Sequence, residues 1–185
     1  MNDDNHKSWK RLGEKTAYKG RVHIVEYDVE LPNGEHSKYE VDHGTSCAVA
    51  VLIKTHDNKI VLAYQYRFPL DKWIYDLPGG GKKADESIEE AVIRECREEA
   101  GIAPKKIEKL ATFYPNPGRS DWPAHVFYCD DFEESELHFD DPSETVERVL
   151  IPVSDFKKLI DNQEIIDPSL LIAWHTACSK GYIKV

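Results

Sequence analysis

One predicted helix within residues 80–102 constrains the fold of this chain more than any other feature. The segment reads GGKKADESIEEAVIRECREEAGI. Asp85 is the expected N-cap, because its short side-chain oxygen can accept a hydrogen bond from a free backbone N–H. Gly101 is the expected stop, because glycine enters the left-handed conformation without a steric cost. The sequence therefore predicts a helix of about four turns between these two residues.

The inward face of this helix begins with apolar residues and ends with carboxylates. Residues seven apart share a helix face, so Glu95 lies on the face of Ile88. Glu99 follows Val92 in the same way. Inward carboxylates are costly unless a cation neutralises them, and oxygen ligands suit Mg²⁺ or Mn²⁺. The alternative is a solvated acidic surface, which accounts for Glu89 but leaves the inward pair unexplained.

The spacing in this segment matches the pattern G-x5-E-x7-R-E-U-x-E-E-x-G-U, in which U is an aliphatic residue. The fixed letters and the last aliphatic position fall at Gly80, Glu86, Arg94, Glu95, Glu98, Glu99, Gly101 and Ile102. Cys96 takes the first aliphatic position, where a buried free cysteine behaves as a small hydrophobe. The segment resembles the Nudix box. The resemblance implies an α/β fold, the Nudix α/β/α sandwich with a mixed sheet, preceded by an N-terminal antiparallel strand extension.

The resemblance also implies a metal site. Glu95, Glu98 and Glu99, with the backbone carbonyl of Gly79, would hold Mg²⁺, with Mn²⁺ as the alternative. A metal in such a site lowers the pKa of the attacking water and stabilises charge on the entering and leaving oxygens.

Two further catalytic roles follow from the same resemblance. A glutamate would accept the proton of the attacking water, and Glu98 and Glu144 are the candidates, with Glu147 as a third. Arg94 belongs to the catalytic motif, where pairing with an acid such as Glu86 is favoured over a contact with substrate.

The flanking sequence resembles the ADP-ribose and nucleoside diphosphate sugar pyrophosphatases of the Nudix family. Those enzymes carry a QYR-like segment before the box, here Gln65–Arg67, and a proline about fifteen residues past it, here Pro117. The implied reaction is metal-dependent hydrolysis of a nucleoside diphosphate sugar, with ADP-ribose giving AMP and ribose 5-phosphate.

Four residues outside the box are implied as substrate-binding. Arg67 would contact the diphosphate, since arginine can grip phosphate oxygens in a bidentate way. Arg119 and Asp121 follow Pro117 at a position where a sugar beyond the diphosphate could be met. Tyr66 could stack on a base or ribose, with core or interface packing as the alternative.

Charge and cysteine usage exclude several classes of protein. The net charge of −10 over 185 residues argues against nucleic acid as a partner, because phosphate contacts need clustered Lys and Arg. The start MNDDNHKSWKRLGEK has no apolar core for a signal peptide, and no apolar run is long enough to span a membrane. The four cysteines stand apart with no CxxC pair, as is typical of reduced thiols. These features predict a cytoplasmic protein with no membrane partner, and the resemblance adds a nucleotide sugar as the substrate.

Two domains are expected, an N-terminal extension over residues 1–43 and a Nudix domain over residues 44–185. Residues 16–42 show two extended segments around a hairpin turn at 31–34. A lone two-stranded hairpin is marginal in water, so it is expected to lie on a partner in a two-fold homodimer. Downstream, apolar runs predict strands at 47–53, 60–66, 73–77, 107–114, 125–129 and 146–153, and helices at 154–162 and from 167 onward.

Three other functions remain open at this point. A different Nudix substrate, such as a dinucleoside polyphosphate or a capped RNA end, is the nearest alternative. A non-catalytic nucleotide-binding Nudix module is disfavoured, because such a protein would be expected to lose box carboxylates and all are present here. A structural protein with an acidic helix is the third.

Overall fold

The computed structural model describes residues 7–136 and 146–184. The chain divides into two compact units. The first unit contains the residues up to Ser46 together with Asn116–Trp122, and the second contains Cys47–Pro115 and the residues from Pro123 onward. Within the described ranges, no helix is long and apolar enough to cross a membrane.

The first unit is built on a three-stranded antiparallel sheet. Its strands, in spatial order, are β1 (Lys10–Lys19), β2 (His23–Glu30) and β3 (His36–Asp42). Alternation along β2 buries Val25, Tyr27 and Val29 on one face. The two strands predicted around the turn at 31–34 are confirmed as β2 and β3. The prediction missed β1, because all ten of its residues are exposed and show no apolar alternation.

The second unit holds a mixed sheet. Its strands are β4 (Ala48–Lys54), β5 (Lys59–Arg67), β6 (Lys72–Asp76), β7 (Gly79–Gly81), β8 (Ile102–Phe113), β9 (Ala124–Glu134) and β10 (Val146–Pro152). The described strands follow the order β10-β5-β4-β9-β8, with β6 paired to β5 and β7 paired to β4. Strand β4 runs parallel to β9, and the other pairings among the described residues of this sheet are antiparallel. The helices are α1 (Ile88–Ala100), α2 (Val153–Asp161) and α3 (Pro168–Ser179).

Helices cover both faces of this sheet. Alternation along β4 sends Val49, Val51 and Ile53 into a buried cluster with the apolar face of α1. The intervening Leu52 points to the other face, where it packs in a cluster with α2 and α3. The predicted α/β/α sandwich with a mixed sheet is confirmed.

Strands β4 and β5 separate in the middle of the sheet. They pair directly only at Ile53–Val61 and Lys54–Ile60. Beyond that point β7 takes the edge of β4 and β6 takes the edge of β5. Asp76 ends β6 and Gly79 begins β7, so both residues lie at this opening between two otherwise adjacent strands.

Helix α1 begins two residues later than predicted. Its N-cap is Ser87, whose hydroxyl accepts a hydrogen bond from the backbone N–H of Glu90 at 3.2 Å. Glu90 in turn accepts a bond from the Ser87 N–H at 2.7 Å, which completes a capping box. The prediction of Asp85 was wrong, because the reciprocal bond gives Ser87 the advantage. The stop at Gly101 is confirmed, with φ of 61° and its N–H bonded to the carbonyls of Cys96 and Arg97.

Candidate active site

The inward carboxylates of α1 meet the glycines of β7. Glu95 and Glu99 are each 6% exposed, which confirms their predicted inward position. Glu99 Oε2 accepts a hydrogen bond from the backbone N–H of Gly79 at 2.8 Å. The Glu95 carboxylate lies against Gly80, where an added Cβ would stand 2.5 Å from Glu95 Oε1. A short glycine strand therefore lets two carboxylates approach its backbone.

Gly79 and Gly80 are needed for different reasons. A Cβ on Gly79 would meet the backbone of β4, including the Val49 carbonyl oxygen and Ala50 Cα, the latter at 2.7 Å. A Cβ on Gly80 would instead meet only the end of the flexible Glu95 side chain. Gly79 is thus required for strand pairing, and Gly80 is required for the position of a carboxylate.

Arg94 fastens the loop before α1 to the helix. Its Nε and Nη2 donate to the two carboxylate oxygens of Glu86 at 3.0 and 2.7 Å, and Nη2 also donates to the Gly81 carbonyl at 3.1 Å. These bonds hold the pKa of Glu86 down to about 2, with a further contribution from the Lys83 backbone N–H. The pKa of Arg94 is raised in return, chiefly by the same carboxylate. The predicted pairing of Arg94 with Glu86 is confirmed.

The same guanidinium also reaches the inward carboxylates. Arg94 Nη1 donates to Glu95 Oε1 at 2.7 Å and to Glu98 Oε2 at 2.9 Å. Across residues 7–136 and 146–184, no three His, Cys, Asp or Glu side chains converge closely enough to hold one ion. The Arg94 guanidinium lies between Glu95 and Glu98, two of the predicted metal ligands, and places a positive charge beside both carboxylates. The guanidinium thus balances part of the negative charge of these carboxylates.

The donor set at this position fits a hard divalent cation. Glu95, Glu98 and Glu99 offer carboxylate oxygens, and the backbone of Gly79 lies beside Glu99. Mg²⁺ and Mn²⁺ prefer such oxygen ligands, whereas zinc sites in proteins favour Cys and His. Cys96 is not a competing ligand, because it is fully buried in the apolar cluster under α1 and burial raises the pKa of its thiol.

An open groove of about 470 Å³ runs along the outer side of α1. Arg94 and Glu98 line it together with Glu90, Ile93, Arg97, Ser135 and Glu136. Glu98 therefore shares the Arg94 guanidinium with the buried Glu95 and also borders an open space. This position suits the predicted role of Glu98 as the residue that exchanges a proton with water.

Arg67 lies at the end of β5 and pairs with a buried acid. Its Nη2 donates to Asp76 Oδ2, and the side chains of Arg67 and Asp76 are 45% and 9% exposed. Tyr66 points to the opposite face of the strand, as alternation requires. Its hydroxyl donates to Asp71 at 2.6 Å and its ring packs near Trp73 with centroids 6.3 Å apart. Arg67 thus has a fixed partner, and Tyr66 joins an aromatic cluster on the hairpin.

The other predicted site residues are Arg119, Asp121, Glu144 and Glu147. Arg119 and Asp121 belong to the first unit. There the Arg119 carbonyl accepts the Asp42 N–H at 2.7 Å, and Asp121 pairs with His43 at 2.8 Å. Glu144 lies outside the described residues. Glu147 is an exposed residue of β10, opposite Tyr64 of β5. The roles predicted for these residues stay predictions.

A pair of acids near Arg67 was missed by the sequence analysis. Asp167 caps α3 by accepting the Leu170 N–H at 2.7 Å, and its carboxyl lies near Asp76. Burial, followed by the charge of Asp76, raises the pKa of Asp167 to about 7. The one available sign was an aspartate that interrupts the apolar run WIYDL, at a position where a strand prediction expects no charge.

Comparison with known proteins gives consistent matches over most of the chain. The family profile described as NUDIX domain matches residues 45–171. The ADP-ribose pyrophosphatase of Bacillus subtilis is 36% identical over 163 residues, which cover 85% of this chain and 86% of that protein. The methanol dehydrogenase activator of Bacillus methanolicus is 32% identical over 166 residues, or 89% of each chain.

Among solved structures, the crystal structure of an ADP compounds hydrolase aligns with a TM-score of 0.76 at 21% identity. The alignment covers 96% of this chain and 98% of that one. The two proteins therefore share a fold along nearly their whole length.

Proposed function

This chain belongs to the NUDIX domain family, and from that premise we propose that it hydrolyses ADP-ribose to AMP and ribose 5-phosphate. The chain is a Nudix hydrolase, and the 36% identical relative over most of its length is named an ADP-ribose pyrophosphatase. The observation that carries the proposal is the burial of Glu95 and Glu99 against the glycine strand Gly79–Gly81. These carboxylates place oxygen donors together at one inward position, and such donors are the ligands that a hard divalent cation prefers.

Nudix hydrolases generally require a divalent metal, and we propose Mg²⁺ for this chain, with Mn²⁺ as the alternative. Glu95, Glu98 and Glu99, with the backbone carbonyl of Gly79, would hold it after these side chains, which do not converge on one point among the described residues, rotate toward it. When bound, such an ion neutralises diphosphate charge and lowers the pKa of a water molecule. Because that charge is removed locally, a protein with a net charge of −10 can accept an anionic substrate.

Substrate binding, positioning of the carboxylates and proton transfer are carried out by side chains of this chain. Arg67 grips phosphate oxygens, and its planar fork suits a bidentate contact. Arg94 keeps Glu95 and Glu98 in place through bonds of 2.7 and 2.9 Å. Glu98 accepts the proton of the attacking water, with Glu144 or Glu147 as the alternative base. The water oxygen bonds to one phosphorus, the anhydride bond to the bridging oxygen breaks, and that oxygen leaves with the other phosphate.

A substrate panel tests this function. We expect kcat/KM for ADP-ribose to exceed that for ATP or GTP at least tenfold, which requires only ~1.4 kcal/mol of differential transition-state binding. The panel should include GDP-mannose, UDP-glucose, NADH, coenzyme A, diadenosine polyphosphates and a capped RNA end, with products separated by chromatography.

The E95Q variant, purified in parallel, controls for contaminating hydrolases, since it should process none of these compounds at the wild-type rate. Equal or better hydrolysis of ATP would overturn the substrate assignment and leave the family assignment standing. Tight binding of ADP-ribose with no turnover at any metal concentration would favour the binding-module alternative.

We also propose that the protein is a homodimer formed through its first unit. The sheet of that unit buries only a small apolar cluster, while Trp9, Leu12, Tyr18 and Tyr39 stay exposed. Large exposed apolar side chains on a three-stranded sheet favour association with a second copy. Light scattering should give twice the chain mass of 21.2 kDa for the intact protein. Deletion of residues 1–42 should yield a monomer or an aggregate, and a monomeric mass for the intact chain would contradict the proposal.

We also propose that the protein is located in the cytoplasm. All four cysteines are free, and three of them are buried. Free thiols persist in reducing compartments, whereas secreted proteins of this size commonly use disulfides. Recovery of the protein mainly in an extracellular or periplasmic fraction would contradict this location.

A further inference from the structure

Arg67 and Asp76 form an ion pair at the opening between β4 and β5. The acid is nearly buried while the arginine remains half exposed, with 9% and 45% of their side chains accessible. Only Nη2 of the guanidinium is engaged by Asp76. The pair therefore has one fixed member and one member that faces solvent with further N–H donors.

The carboxylate of Asp76 is held on both of its oxygens. Oδ1 accepts the backbone N–H of Leu77 at 2.8 Å. Oδ2 accepts the Gln65 side-chain amide at 3.2 Å, in addition to Arg67. Gln65 and Arg67 are two residues apart on β5, so their side chains lie on the same face and converge on one oxygen. Asp76 is thus a rigid anchor, because moving its carboxylate would break several bonds at once.

Asp167 closes the site from the side of α3. Its Oδ1 accepts the Leu170 N–H at 2.7 Å, and its carboxyl lies close enough to Asp76 and Arg67 for their charges to act on it. Asp167 therefore borders the Arg67–Asp76 pair on this side.

Asp76 is also connected, through the next three residues of the chain, to Gly79 and the buried Glu99. Asp76 ends β6, and Gly79, three residues later, begins β7 and donates its N–H to Glu99 at 2.8 Å. Leu77 between them is buried, and the Pro78 carbonyl accepts the Val51 N–H at 2.9 Å. The segment 76–79 thus connects the partner of Arg67 to Gly79 and Glu99, two of the residues proposed to hold the metal.

We propose that Asp76 is the positioning residue for Arg67, holding its guanidinium in the one orientation from which the free N–H groups grip the diphosphate. This inference rests on the proposed function, which makes Arg67 a diphosphate ligand. A long arginine side chain carries a large rotamer entropy, and ordering it before the substrate arrives lowers the cost of binding. Because Arg67 would already bind the diphosphate in the ground state, loss of this contact should raise KM more than it lowers kcat.

The test compares D76N with D155N. In D76N, we expect KM for ADP-ribose to rise about tenfold with kcat changed less than about threefold. Asp155 is an exposed aspartate of α2 that pairs with Lys158, so D155N makes the same chemical change on the surface and should keep KM within about twofold of wild type. Thermal unfolding of each variant reports whether the fold is intact. If D76N fails to fold, D76S removes the same charge with a smaller side chain and carries the same expectation.

A double-mutant cycle separates positioning from a general structural effect. If Asp76 acts through Arg67, D76N should raise KM in the wild type but add almost nothing in an R67A background. Calorimetric affinity for an ADP-ribose analogue with a methylene bridge should fall by the same factor as KM rises. This measurement does not depend on turnover.

The outcomes distinguish the two proposals. A wild-type protein that does not process ADP-ribose refutes the proposed function. With an active wild type, an unchanged KM in D76N refutes the positioning role alone. A KM effect of D76N that persists undiminished in R67A, or a loss confined to kcat and stability, also refutes it.

Discussion

Replacing Glu95 or Glu99 with glutamine should lower kcat for ADP-ribose by about two to three orders of magnitude, because each change removes a charge from the site that would hold the metal. The fold should remain intact. A glutamine oxygen can still accept the bond that Gly79 donates to Glu99 at 2.8 Å, or the bond that Arg94 donates to Glu95 at 2.7 Å. Steady-state kinetics and circular dichroism measure the two effects separately.

Glu89 provides the matched control for these substitutions. It lies on the same helix but is exposed on another face, so E89Q should keep kcat and KM near wild-type values. Titration with Mn²⁺ in a calorimeter should show weaker binding in E95Q and E99Q and unchanged binding in E89Q. Equal losses of activity in all three variants would show that the helix face has no special role.

Adding one methyl group at Gly79 or at Gly80 should give two different losses. In G80A, the new Cβ stands 2.5 Å from Glu95 Oε1, so the carboxylate must turn away while the backbone stays in place. We expect kcat to fall about a hundredfold with little change in stability. In G79A, the Cβ meets Ala50 Cα at 2.7 Å, so β7 must move away from β4. We expect the free energy of unfolding to fall by about 2–3 kcal/mol.

Urea unfolding and kinetics on the same preparations check both expectations, and each glycine variant is the control for the other. A G80A protein that keeps its activity would show that Glu95 does not need its position over the strand. A G79A protein of unchanged stability would show that β7 can leave β4 without cost.

The parts of the site that could be predicted depend on short-range spacing. Helical periodicity alone places Glu95 and Glu99 on the inward face, and their burial confirms it. The start of α1 was predicted wrongly at Asp85, because a capping box depends on a reciprocal pair of bonds that a single-residue preference does not include. Strand β1 escaped prediction because an edge strand with every residue exposed has no apolar alternation.

The partners of Arg67 could not be predicted, for a different reason. Asp76 and Asp167 are far apart in sequence, and only the folded sheet brings the end of β6 to the start of α3. No periodic pattern encodes such a contact. Sequence reasoning placed Arg67 at the diphosphate through resemblance alone, and its anchor became visible only in three dimensions.

The opening between β4 and β5 bears on how this enzyme could be redesigned. Asp76 and Gly79 bracket a short segment, so a change there disturbs the Arg67 anchor and the carboxylate site together. The tip of the β5–β6 hairpin, with Phe68 and Leu70 exposed, carries no such double constraint. Library diversity placed at that tip should therefore leave both the Arg67 anchor and the buried carboxylates in place, whereas diversity within residues 76–80 should mostly yield inactive protein.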